Sequence, residues 1–128
     1  MPRAALQHLI ERYLHAYNHF DIEGMLALLA PDVHFENYSG DTLTASAEGI
    51  EAFRALAEQS GRLFSEREQR LTGLHIGQHS AVADIAYRGR LAVDVDGGPE
   101  AGSWIELSGT TEFSFADGRV TRIVDRSR

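Results

Sequence analysis

Three polar side chains interrupt faces that are otherwise apolar: Tyr13, Asn37 and Asp125. Tyr13 falls within the series Leu6, Leu9, Ile10, Tyr13, Leu14, Tyr17 and Phe20. A phenol there either finds a backbone partner in the core or donates to a ligand oxygen. Asn37 alternates with Val33 and Phe35. Its amide can tie down the loop that follows, or orient a water or a carbonyl. Asp125 alternates with Thr121 and Ile123. A carboxyl that faces an apolar space favours its neutral form and moves toward the range useful for acid–base work. Its place near the chain end offers the competing reading of a solvated residue. As a trio they describe one chemistry: Tyr13 polarises an oxygen, Asn37 positions water or substrate, and Asp125 transfers a proton. Isomerisation, hydration, epoxide opening and cyclisation of an apolar, oxygen-bearing molecule all fit.

Other chemistries are closed to this chain. It has no cysteine, so disulfides and thiolate nucleophiles are excluded. It has no lysine either, and its 12 cationic side chains are all arginine. A lysine Schiff base is therefore impossible. His15 and His19 have the i, i+4 spacing of a metal pair, near His8 and Glu11. They lie opposite the apolar stripe, where a solvated face is expected. With no phosphate-cradling glycine motif, no cofactor and no metal are expected. Glu66, Arg67, Glu68 and Arg70 read as a solvated charge run or an interface edge. A net charge of −7 without a basic stripe argues against nucleic acid and against an anionic membrane. Gln7 and His8 break the apolar run of residues 1–10, so neither a signal peptide nor a membrane span is expected, and a cytoplasmic location is the default.

The elements that must hold these residues follow from periodicity. Helical spacing predicts a long amphipathic helix over residues 4–20. Asp21 can cap a second helix over 22–29, which ends before Pro31. Residues 33–38 alternate as a strand, and 39–47 read as a polar loop. Ile50, Phe53, Leu56 and Ala57 mark a third helix, closed by Ser60-Gly61. Strands follow over 66–76, 81–95, 102–115 and 120–126. Asp96-Gly97-Gly98-Pro99 and Ala116-Asp117-Gly118 serve as turns between them. Helices first and an antiparallel meander later argue for an α+β fold within one domain, residues 1–128.

Three stretches carry a resemblance. Arg12-Tyr13 with Asp21-Ile22-Glu23-Gly24-Met25-Leu26-Ala27-Leu28-Leu29 and Asp32, then Gly49-Ile50-Glu51-Ala52-Phe53-Arg54, then Phe113-Ser114-Phe115-Ala116-Asp117-Gly118-Arg119-Val120, resemble the nuclear transport factor 2-like superfamily. The resemblance spans nearly the whole chain. It implies three N-terminal helices on a strongly curved, mostly antiparallel sheet, forming a cone around one internal pocket, a cystatin-like roll.

Against the ketosteroid isomerases of that superfamily, Tyr13 falls on the oxyanion-hole tyrosine and Tyr87-Arg88-Gly89-Arg90 on a Tyr-x-Gly-Arg segment. Asn37 stands where the general base is an aspartate, and Thr111 falls on or near the second oxyanion donor. An amide cannot take a proton at neutral pH, so that mechanism is incomplete here. Against the limonene-epoxide hydrolases, Asn37 and Asp125 match while Phe35 replaces a tyrosine. Scytalone dehydratase needs two pocket histidines, and neither His75 nor His79 is placed inside by the pattern. SnoaL-like cyclases fit in outline and length.

The expected pocket is lined by Tyr17, Phe35, Phe53, Ile85, Tyr87, Thr111 and Phe113 around the polar trio, and takes a small apolar molecule. His34, Glu36 and Tyr38 point away from it, as do Trp104 and Glu106. The superfamily's outer sheet face is often a dimer interface, and Trp104 is the candidate anchor of a homodimer there. The alternative function is a non-catalytic ligand-binding or dimeric accessory module, in which the pocket only sequesters a ligand or is filled by core side chains.

Overall fold

A computed structural model describes residues 1–128. Helices α1 (Arg3–Asn18) and α2 (Ile22–Leu26) come first, then strands β1 (Leu29–Ser39) and β2 (Thr42–Glu48), helix α3 (Ile50–Gly61), and strands β3 (Phe64–Ile76), β4 (Ser80–Leu91), β5 (Trp104–Ala116) and β6 (Arg119–Ser127). The strands form one curled six-stranded sheet in the order β2-β1-β6-β5-β4-β3. Every pairing is antiparallel except β1 with β6. The α+β architecture expected from the sequence is present, with the helices against one face of the sheet.

The apolar spacing of α1 buries Leu6, Leu9, Ile10, Tyr13 and Leu14 against the inner sheet face. There they meet Ala81, Ala83 and Ile85 of β4, Phe113 and Phe115 of β5, and Val120 and Ile123 of β6. Asp21 caps α2 by accepting from the Gly24 N–H at 2.9 Å, as its position predicts. Phe35 of β1 meets Phe53 of α3 edge-on, with ring centroids 5.6 Å apart.

Several boundaries differ from the sequence expectation. The stretch 39–47 is not a loop: after a turn at Gly40-Asp41 it forms β2, which pairs with β1 from His34↔Glu48 to Ser39↔Thr42. Helix α2 stops at Leu26, and Leu29 already pairs with Val120 as strand. Residues 92–95 belong to the β4–β5 connection, not to β4. Within that connection Val95 N–H bonds Pro99 O and Ala101 N–H bonds the Asp94 carboxylate, a local network that replaces strand pairing. The β5–β6 turn is tight because Asp117 and Gly118 both adopt positive φ, 52° and 75°, the geometry whose twist suits a hairpin.

The C-terminal end of α1 is fastened to β3, which is an edge strand. The Asn18 amide bonds both backbone groups of Gln69, donating to its oxygen at 3.2 Å and accepting from its N–H at 2.7 Å. One side chain thus does for the open edge what a neighbouring strand would do. That anchor sets where Tyr13 and Tyr17 stand over the sheet.

Candidate active site

Between α1, α3 and the inner sheet face lies a cavity of about 310 Å³. Strand alternation decides what faces it. Asn37, Thr111 and Asp125 occupy one row, since Asn37 pairs with Asp125 across the parallel β1–β6 ladder and Asp125 with Thr111 across β6–β5. Tyr13 hangs over this row from α1, held edge-on against Phe113 at 5.7 Å.

Asp125 borders the cavity and is partly buried there. Burial pushes its carboxyl up to about 6, because the charged form loses hydration. The Thr111 hydroxyl donates to Oδ1 at 2.7 Å and pulls in the opposite direction, without prevailing. The carboxyl can therefore take or give a proton close to neutral pH. Tyr13 is only 3% exposed and makes no hydrogen bond within the chain. Burial, and then the Asp125 charge, hold its phenol well above the ordinary value, so it stays a neutral donor. Asn37 does both things its position allows. Its Nδ2 donates to Thr44 Oγ1 at 2.7 Å, which ties β1 to β2 at a bulge, and its side chain also lines the cavity.

The other end of the cavity is aromatic and cationic. Tyr17 donates to the Tyr87 hydroxyl at 3.1 Å, and burial raises both phenols. The Arg67 guanidinium lies 3.7 Å from the Tyr17 ring centroid and 4.3 Å from that of Phe20. Its Nε donates to the Tyr17 backbone oxygen at 2.9 Å, at the carbonyl end of α1. Gln69 lines the cavity beside it.

Of the residues singled out from the sequence, Tyr13, Asn37, Asp125, Tyr17, Phe35, Phe53, Ile85, Tyr87 and Thr111 all border this one cavity. Phe113 does not. It is wholly buried between Tyr13 and Phe115, so it supports the phenol from behind rather than meeting a ligand. Arg67 corrects the sequence reading most sharply. It is no solvated member of a charge run but is 6% exposed and lines the cavity. The signal was there in the alternation: Arg67, Gln69 and Leu71 share one face of β3, while Glu66, Glu68 and Arg70 share the other. Ser60, Gln69 and Ser127 also line the cavity, and the sequence pattern does not single them out.

Outside the cavity, the rings of His15 and His19 lie 4.2 Å apart on the exposed side of α1. His75 is exposed beside Asp84 at 3.3 Å. On the outer sheet face His34 bridges Glu36 and Glu48, and Tyr38 donates to Glu36 at 2.8 Å. These groups point away from the cavity, as alternation requires.

The comparisons with known proteins agree with this architecture. The family model described as SnoaL-like domain matches residues 10–123. Among solved structures, a protein from Xanthomonas campestris pv. campestris described as a candidate polyketide cyclase superposes with a TM-score of 0.85 at 23% identity, over 98% of this chain and 92% of that one. TsrD from Streptomyces laurentii gives 0.81 at 25% identity, over 99% and 90%. A second candidate polyketide cyclase, from Silicibacter sp. tm1040, gives 0.74 at 25% identity, over 97% and 89%. A protein from Catenulispora acidiphila described as having a ketosteroid isomerase-like fold superposes with a TM-score of 0.75 at 13% identity, over 91% and 82%. No curated protein matches the sequence. No helix is long and apolar enough to cross a membrane.

Proposed function

The chain belongs to the SnoaL-like domain family, and from that premise we propose that it is a cofactor-independent acid–base enzyme acting on an apolar, oxygen-bearing small molecule. The observation that carries the reading is Asp125, a carboxyl tuned to about 6 within an apolar cavity, in the same row as Asn37 and below the unpartnered phenol of Tyr13. A fold alone hosts many functions, so the argument rests on this constellation. Asp125 removes a proton from carbon next to a carbonyl, or delivers one. Tyr13 donates to the oxygen on which charge develops, and Asn37 helps set the substrate's orientation. Isomerisation and cyclisation both begin with that proton transfer. The description of the Silicibacter protein as a candidate polyketide cyclase is in keeping with it.

The non-catalytic alternative in which core side chains fill the pocket is disfavoured by volume. About 310 Å³ far exceeds the roughly 30 Å³ share of one water. For assembly, the outer sheet face around Trp104 is the proposed contact with a second copy. Trp104 is 45% exposed, and the Arg88 guanidinium lies 4.3 Å from its ring centroid.

Exchange of the α-protons of 2-tetralone in deuterated water tests the catalytic reading directly, by NMR. The wild type should accelerate exchange over buffer, with a rate that rises as pH passes through about 6. Asp125→Asn should lose on the order of a hundredfold or more. No acceleration by the wild type, or an unchanged rate in Asp125→Asn, would overturn the assignment.

A further inference from the structure

Arg67 is a buried cation, 6% exposed, that no side-chain carboxylate contacts. A guanidinium removed from water is costly unless it is paired and hydrogen-bonded. It carries five N–H donors, and only Nε–H is used, on Tyr17 O. The carbonyl end of α1 offers a partial negative charge of roughly half an elementary unit, which offsets part of the cost and no more. The acids next to it in sequence do not help. Glu66 and Glu68 alternate onto the opposite face, where Glu66 stands 3.8 Å from Arg90. Arg67 nonetheless lines the cavity, with aromatic rings against its own planar face. Its in-plane Nη donors are therefore left for something that enters.

We propose that the cavity selects an organic anion, a planar apolar skeleton bearing a carboxylate or an ionised enol, whose anionic oxygens are held by Arg67 while the reacting carbon lies toward Asp125. The inference rests on the reading of this cavity as a small-molecule site and names its substrate class. Geometry supports two separate ends. Asp125 shares a row with Thr111 and Ala83, whereas Arg67 is opposite Gly89, three inward-facing positions further along β4. A fork of donors suits a carboxylate or an enediolate-like pair of oxygens in a way that a single hydroxyl donor does not. Keeping the anion at the far end also separates it from the Asp125 carboxylate, so that the base and the substrate charge do not repel at contact distance.

A matched pair of probes tests this: 2-naphthoate and its neutral analogue 2-naphthamide, titrated calorimetrically into the intact protein at neutral pH. The carboxylate should bind at least tenfold tighter than the amide. Arg67→Gln should abolish that preference, and Arg67→Lys should restore part of it. Equal affinity of the two probes for the wild type overturns the proposal without needing any variant, and leaves the small-molecule reading of the cavity standing. A preference that survives Arg67→Gln, in protein that circular dichroism reports as folded, also overturns it. Failure of both probes to bind counts against the anion proposal and against the cavity as a site for planar apolar molecules.

Discussion

At the scale of single residues, Asp125 carries an opposition between stability and function. Its carboxyl titrates near 6 in the folded chain, against 3.8 for an unperturbed group. The folded state therefore holds this proton more tightly than the unfolded one. Stability is greatest below the unfolded value, falls as pH rises between about 4 and about 6, and is flat above. At about 1.36 kcal/mol per unit, the shift corresponds to roughly 3 kcal/mol. Asparagine does not titrate, and its oxygen can still accept from Thr111. Relative to wild type, Asp125→Asn should therefore gain about 3 kcal/mol of stability between about pH 3 and about pH 8, read from denaturant midpoints at each pH. A difference that stays flat across that range would place Asp125 in solvent. The same substitution should cost the proton transfer, so gain of stability and loss of rate belong to one group.

At the scale of elements, the cavity exists because strands bend and one helix end is anchored. Bulges interrupt β1, β3 and β6, and each adds local twist to the sheet. Gly109 of β5 has less room for a side chain than any other glycine of the chain. A Cβ there would fall 1.9 Å from the Arg126 backbone oxygen on β6. Two strands that close leave no room for even a methyl group. Gly109→Ala should destabilise the protein by about 3 kcal/mol or more, measured by urea unfolding, because backbone rather than a flexible side chain must move. Near-neutral behaviour would mean that β5 and β6 are further apart than described. The same packing places Ser127 opposite Gly109, and both line the cavity.

At the scale of the whole molecule, the two faces of the sheet divide the work. The inner face holds the apolar core and the cavity, and the outer face carries Glu36, Glu112, Arg88, Arg90 and Arg126 around Trp104 and Tyr38. Arg126 links Glu112, at 3.1 Å, to the Tyr38 ring, at 4.8 Å from its centroid. A patch of paired charges about a half-exposed tryptophan suits contact with a second copy that presents the same groups. Sedimentation equilibrium should give twice the chain mass of 14.1 kDa, and Trp104→Glu should return it to one chain. A single-chain mass for the wild type would remove the outer face from consideration as an interface.

Much of the fold and most of the candidate site were legible in the sequence, because side-chain direction is periodic. Period 3.6 in α1 and period 2 in β1, β5 and β6 are enough to put Tyr13, Asn37, Thr111 and Asp125 on inward faces. Three things were decided only by the tertiary structure. Strand β2 was hidden because its inward positions include Ala45 and Ala47, too small for alternation to register as hydrophobic, and its hydrogen bonds depend on a partner. Phe113 lies on the inward face yet misses the cavity, since Tyr13 from α1 covers it; which inward residues stay open is set by where helices cross, not by strand period. Arg67 reads as surface by residue type and is buried by the rings of Tyr17 and Phe20, 50 and 47 positions earlier in the chain. A charge is recognised as buried only when its distant neighbours are known, because burial belongs to the packed set of elements, whereas side-chain direction belongs to the local backbone.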